Sequence, residues 1–217
     1  MNWVKRFLPS TLGLKMLVAL SGIGLVGFIA VHFMGNLLMY AGGDAFNHYA
    51  EALHANSLIA FVEVGLLALF VVHVGLSLYL KAISSAARPA KYSSSGTKAA
   101  RPWYSPSKTM VLTGLVVLAF VLVHLWDVRV PRLLGWDTGS ELDHTFHVLR
   151  NGFSGPVYLV GSLLLGIHVS HGFQSAFQSL GLKFPKYSSL IDGVGFVLAL
   201  VVALGFASFP VYAFLTK

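Results

Sequence analysis

Residues 21–40 read SGIGLVGFIAVHFMGNLLMY, twenty positions without one Asp, Glu, Lys or Arg and with a single histidine, His32. A soluble helix would alternate an apolar stripe with a charged one, and this stretch has no charged face. It is long enough to cross about 30 Å of hydrocarbon, which takes roughly 20 residues at 1.5 Å each. In lipid, only a helix satisfies the backbone of such a segment from within, so a strand is excluded.

Working outward, the 217 residues hold four more blocks of this kind, and the chain is 56% hydrophobic but only 11% charged. An ordinary soluble domain has about 25% charged residues. The expected fold is an all-α integral membrane protein, one domain over residues 1–217, with five transmembrane helices at about 14–40, 57–83, 108–126, 156–180 and 190–214. The first block is too long for the core of a cleaved signal and is expected to remain as a helix. No internal repeat stands out. Cysteine is absent, which excludes disulfides, iron–sulfur clusters on thiolates and covalently attached haem within this chain.

The net charge of +7 is a matter of topology. Lys5, Arg6, Lys15, Lys81, Arg88, Lys91, Lys98, Arg101, Lys108, Lys183 and Lys186 fall on one side of the five spans. Arg129, Arg132, Arg150 and Lys217 fall on the other, with Asp44, Glu51, Asp127, Asp137, Glu141 and Asp143. The positive-inside rule then places the N-terminus in the cytoplasm and the C-terminus outside a cell or inner membrane. Nucleic acid is not the expected partner. The segment from Ser84 to Ser107, rich in Ser, Pro and Lys, is a cytoplasmic loop whose basic residues would dock an acidic partner or lipid headgroups.

Five histidines, His32, His73, His124, His168 and His171, lie inside four successive spans, and the fifth span has none. Ionisable groups in a bilayer are costly and mark function. Depth pairs them. His32 lies 17 residues beyond Lys15 and His124 lies 16 beyond Lys108, on helices running the same way. His73 is eight residues short of Lys81, and His168 is twelve past Pro156, with His171 one turn deeper. The pairs are therefore His32 with His124 in the outer half, and His73 with His168 further in. Zinc needs four protein donors, whereas haem brings four nitrogens and asks for two axial imidazoles from facing helices. Two b haems stacked along the membrane normal follow. His171 is an alternative ligand or a haem contact. Gly24 and Gly35 share the face of His32, and Gly161 and Gly172 that of His168, where thin helix surfaces would clear a broad flat ring.

Two stacked haems form an electron path that needs a soluble partner at its inner end and a lipid-soluble quinone as carrier. The candidates for quinone binding and proton exchange are Asp44, His48, Glu51 and His54, in the stretch after the first span, and Glu63 inside the second. A di-haem anchor of another quinone-linked dehydrogenase is the alternative, and a histidine-lined metal or proton transporter is an alternative of another class.

Several stretches are carried together: SGIGLVGFIAVHFMGNLLMY (21–40) with His32, Gly35 and Asn36, DAFNHYAEALH (44–54), VVHVGLSLYLKAISSAARPAKY (71–92), SKTMVLTGLVVLAFVLVHLWDVR (107–129) and HVSHGFQSAFQSLG (168–181). In this order the chain resembles the cytochrome b membrane-anchor subunit of succinate dehydrogenases and fumarate reductases, in its five-helix, di-haem, single-anchor form. The resemblance implies that His32 and His124 hold the haem far from the soluble subunits and His73 and His168 the near one. It implies a flavoprotein with covalent FAD and an iron–sulfur subunit on the cytoplasmic side. It also implies a quinone, menaquinone, reacting near the outer haem, with an important acid of some family members falling around Glu51 or His54.

Overall fold

The structure is a computed structural model that describes residues 3–87, 106–136 and 139–216. The basic loop from Ser84 to Ser107 falls mostly outside the described residues, as does Asp137. Every described element is helical. In chain order these are α1 (Trp3–Phe7), α2 (Thr11–Leu37) continued by a 3-10 turn (Leu38–Ala41), α3 (Gly43–Ala55) and α4 (Ile59–Ala86). Then come α5 (Pro106–His124), a π-helical stretch (Leu125–Arg129), α6 (Val130–Leu133), α7 (Glu141–Arg150), α8 (Ser154–Ser179) and α9 (Pro185–Leu215). Five of these segments are long and apolar enough to cross a membrane: Thr11–Ala41, Ile59–Ala86, Thr109–Leu133, Ser154–Ser179 and Pro185–Leu215.

Local chemistry sets the helix ends. Ser10 caps α2, its Oγ accepting from Gly13 N at 3.1 Å while donating to Phe7 O at 2.6 Å. Gly13 is obligatory in that corner, because a Cβ there would stand 2.3 Å from the Phe7 carbonyl oxygen. Gly42, at φ 106°, takes the left-handed turn that a side chain resists and redirects the chain from the 3-10 turn into α3. Ser140 caps α7 through Asp143 N at 3.2 Å.

The third span differs from its expected end at Trp126. Its helix widens into a π turn straight after His124 and goes on to Leu133. Pro131 has no N–H, so it cannot bond the carbonyl of Asp127 four residues back. His144 of α7 fills the gap, its Nε2 donating to Asp127 O at 2.8 Å.

α4 packs on α2, α5 on α8, and α2 on α8, so the four histidine-bearing spans form a contact chain α4–α2–α8–α5, with α9 laid against α8. The α8–α9 seam is the tightest, and Gly166 makes it so: a Cβ there would be 2.5 Å from Ala203 Cβ and 2.7 Å from Ala199 O. At the end bearing α3 and α7, a cluster of Met39, Leu149, Phe209 and Ala213 gathers Phe33, Phe206, Tyr158 and Tyr212 around it. Apolar side chains elsewhere face outward, Phe61 at 76% exposure and Leu215 at 74%, and α4 has no buried residue. Such an apolar exterior is stable only against lipid or another apolar partner.

Candidate functional site

The structure sets two of the histidines face to face. His32 on α2 and His124 on α5 face each other with ring centroids 5.9 Å apart. His32 is stacked between Phe28 at 5.4 Å and Phe206 at 5.8 Å, which pins its plane. His124 meets Phe120 and Tyr158 at 6.1 and 5.7 Å. At the other level, His73 on α4 and His171 on α8 both lie within electrostatic reach of His168 on α8. No hydrogen bond engages His171 among the described residues.

A sharper regularity lies in which nitrogen each ring uses. His73 Nδ1 meets Ser21 Oγ at 3.3 Å and Val18 O at 3.2 Å. His168 Nδ1 meets Thr113 Oγ1 at 3.3 Å, His124 Nδ1 meets Tyr158 OH at 3.2 Å, and His32 Nδ1 meets Asn36 Nδ2 at 3.4 Å. Every hydrogen bond described for these four rings runs through Nδ1. Metal-binding histidines are held with the far nitrogen donating to the protein so that Nε2 is left for the metal, and His73, His168 and His124 each face an oxygen that can accept. The Asn36 amide nitrogen at His32 already donates to His32 O and can only donate, so His32 is not held in that way.

Among the described residues no three His, Cys, Asp or Glu side chains come together as a metal cage. His32 and His124 pair instead, and a facing pair suits a metal that brings its other ligands with it. Centroids 5.9 Å apart are close to the roughly 6 Å that two imidazoles sharing one ion at metal–nitrogen bonds of about 2 Å would span. The donor set therefore fits haem. Two glycines support the inner pair: a Cβ on Gly22 would lie 3.1 Å from His73 Cε1, and one on Gly114 would lie 3.2 Å from His168 Cε1. The four glycines named from the sequence lie elsewhere, Gly24 against Leu69, Gly35 against Tyr49, Gly161 against Phe120 and Gly172 against Met110.

The candidates for proton exchange are at the α3 and α7 end. Asp44, His48, Glu51 and His54 are all exposed on α3. Glu63 of α4 is paired with Arg129 of the π turn at 2.7 Å, and Arg132 pairs with Glu141. His54 is held below the ordinary imidazole value, first by partial burial and then by Arg132, with Arg129 acting the same way and Glu141 and Glu63 opposing. His54, Glu63, Arg129, Arg132 and Glu141 form one charged cluster across five elements.

Sequence reading did not single out a second group beside it. Asp127, His144 and His147 line an open cavity of about 490 Å³ with Trp126, Trp136 and Asn151. The Asp127 carboxylate lies beside the Tyr158 hydroxyl that meets His124, and its Oδ2 is buried with no partner among the described residues. The signal was present in the sequence as an acid three residues after a ligand candidate, on the same helix.

No family model and no solved structure matches this chain. Among curated proteins, the succinate dehydrogenase cytochrome b558 subunit of Bacillus subtilis (strain 168) is 26% identical over 207 residues, which is 92% of this chain and 95% of the relative. Over almost its whole length, then, this chain of apolar helices is a distant homologue of a succinate dehydrogenase cytochrome b subunit, and the resemblance read from its sequence is borne out.

Proposed function

We propose that the chain is the membrane anchor of a succinate:quinone oxidoreductase and carries electrons between an iron–sulfur partner and quinone through two b haems. The observation that carries this reading is a histidine on each of four apolar spans, three of which, His73, His168 and His124, turn Nδ1 to an oxygen of a neighbouring helix. His32 and His124 would hold the outer haem, and His73 and His168 the inner one. His171 is the remaining candidate for the inner site, as an alternative ligand or a contact. Haem supplies a one-electron iron centre whose potential follows its axial ligands and their hydrogen bonds.

The chain's own residues do the rest. Phe28, Phe206 and Phe120 orient the outer imidazoles and keep water from them. Ser21 and Thr113 orient the inner ones. The N-terminus is cytoplasmic in this reading, so the inner pair faces a flavoprotein with FAD and an iron–sulfur subunit. Quinone, menaquinone by resemblance, reacts at the outer end, where Asp44, His48, Glu51, His54 and Glu63 are placed to exchange protons with water. Succinate chemistry belongs to the partner.

The test is a reduced-minus-oxidised optical spectrum of the purified complex, with haem quantified against protein. Two six-coordinate b haems per chain are expected, falling to one when His124 or His73 is replaced by Ala. A folded preparation without haem would sink the proposal.

A further inference from the structure

Four histidines are ligand candidates, but the residues that fix the inner two belong to other helices, and they recur in a pattern. Ser21 and Thr113 are buried polar side chains, 3% and 7% exposed, in the middle of apolar spans. A buried hydroxyl needs partners on both its donor and acceptor sides. Ser21 Oγ gives its proton to Val18 O at 3.0 Å. Its lone pairs are then left for His73 Nδ1. That nitrogen must be the protonated one, because it also meets Val18 O, which only accepts. Thr113 repeats the arrangement: its hydroxyl donates to Thr109 O at 3.0 Å or Met110 O at 3.2 Å, and so accepts from His168 Nδ1.

In both rings the proton stays on Nδ1 and the lone pair is on Nε2. The next residue in each case is the glycine whose bare Cα lets the ring approach, Gly22 beneath His73 and Gly114 beneath His168. The two units are also alike in sequence. Residues 21–32 read SGIGLVGFIAVH and residues 113–124 read TGLVVLAFVLVH, sharing a hydroxyl residue, Gly, Phe, Val and His at the same spacing, 92 positions apart. The first and third spans therefore each carry a ligand candidate of their own and, eleven residues earlier, the holder of a neighbour's. Eleven residues are about 16 Å along a helix, which sets the axial distance between the two levels. The chain contains an internal repeat of function that overall sequence similarity between its halves does not display.

We infer that Ser21 and Thr113 are paired positioning residues that set the tautomer and orientation of His73 and His168 for the inner haem. The inference rests on the di-haem reading. Its chemistry is that of an acceptor on the far nitrogen: it makes the imidazole a stronger donor to iron and favours the oxidised state. Removing the hydroxyl takes away that push without touching a ligand.

The experiment uses the whole complex with Ser21→Ala and the near-isosteric Thr113→Val, beside the hydroxyl-keeping Ser21→Thr and Thr113→Ser. Haem content, the redox midpoint of each haem and the low-spin electron paramagnetic resonance signals are recorded, and the inner haem is identified as the one lost in His73→Ala. In Ser21→Ala and Thr113→Val the inner midpoint rises, its resonance shifts, and haem affinity at that site falls by roughly 10- to 100-fold. The outer haem stays as it was, and Ser21→Thr and Thr113→Ser restore the inner signature. An inner signature unmoved by both substitutions overturns the inference, and so does a Thr113→Ser change as large as that of Thr113→Val. Wild-type complex with no haem overturns this together with the di-haem reading, whereas two normal haems with unmoved variants overturn this alone.

Discussion

His54 is the residue at which charge and position meet. It ends α3, and its electrostatic neighbours come from α4, the π turn, α6 and α7. Partial burial lowers its proton affinity most, and Arg132 and Arg129 lower it further against the opposing pull of Glu141 and Glu63. The ring thus prefers to be neutral in the folded protein more than in the unfolded chain, where its ordinary value is 6.5. Above that value both states are neutral and the site contributes nothing to the pH dependence. As pH falls through it, the unfolded chain takes up a proton first, and the folded state loses stability until the lower folded value is reached. His54→Gln is therefore expected to flatten part of the acid-side fall in melting temperature, measured in detergent from about pH 8 to about pH 5. A slope identical to wild type would show that its neighbours leave His54 unperturbed. At this scale the ligand candidates were legible, because depth along a helix is simple arithmetic. Ser21, Thr113 and Tyr158 were not, since which residue of a neighbouring antiparallel span lies opposite a histidine depends on packing register and not on composition.

Among the elements, the third span shows how a local conflict is resolved from outside. Asp127 and Arg129 look like the start of a loop after Trp126, and by composition the helix should stop there. It continues because its two polar intrusions find partners: Arg129 reaches Glu63, and the carbonyl orphaned by Pro131 receives His144. The π turn is the adjustment that places Asp127 beside Tyr158 rather than toward lipid, and such turns gather at functional sites. Replacing His144 with Ala leaves a partly buried carbonyl unpaired and should cost about 1–3 kcal/mol. His144→Gln, which can still donate an N–H, should recover part of it. Thermal unfolding of the purified variants reads both. If His144→Ala melts with wild type, water satisfies the carbonyl and α7 is not what holds the helix together. Five apolar helices could be read from hydropathy alone, but the continuation past Trp126 depends on α7, a helix fourteen residues further along the chain.

For the molecule as a whole, direction in the membrane decides which haem pair would meet which partner. By their order in the sequence, eleven of the fifteen Lys and Arg residues are expected on the side of α1 and of the turn before α9, and four on the side of α3 and α7. Two of those four are neutralised by Glu63 and Glu141, which deepens the asymmetry. The basic side is therefore expected in the cytoplasm. The chain has no cysteine, so one introduced thiol would be its sole reactive site for a maleimide. Asp44, on α3, and Ser189, near the start of α9, are both exposed and lie at opposite ends of the bundle. With a membrane-impermeant maleimide on intact cells, Asp44→Cys should label, and Ser189→Cys should label only after the membrane is opened. The reverse pattern would turn the whole arrangement over, placing His32 and His124 nearest the cytoplasm and carrying the quinone end, with its exposed acids and histidines, to the same side as the flavoprotein. Labelling of both positions in intact cells would break the five-span count itself, since an odd number of crossings must separate them.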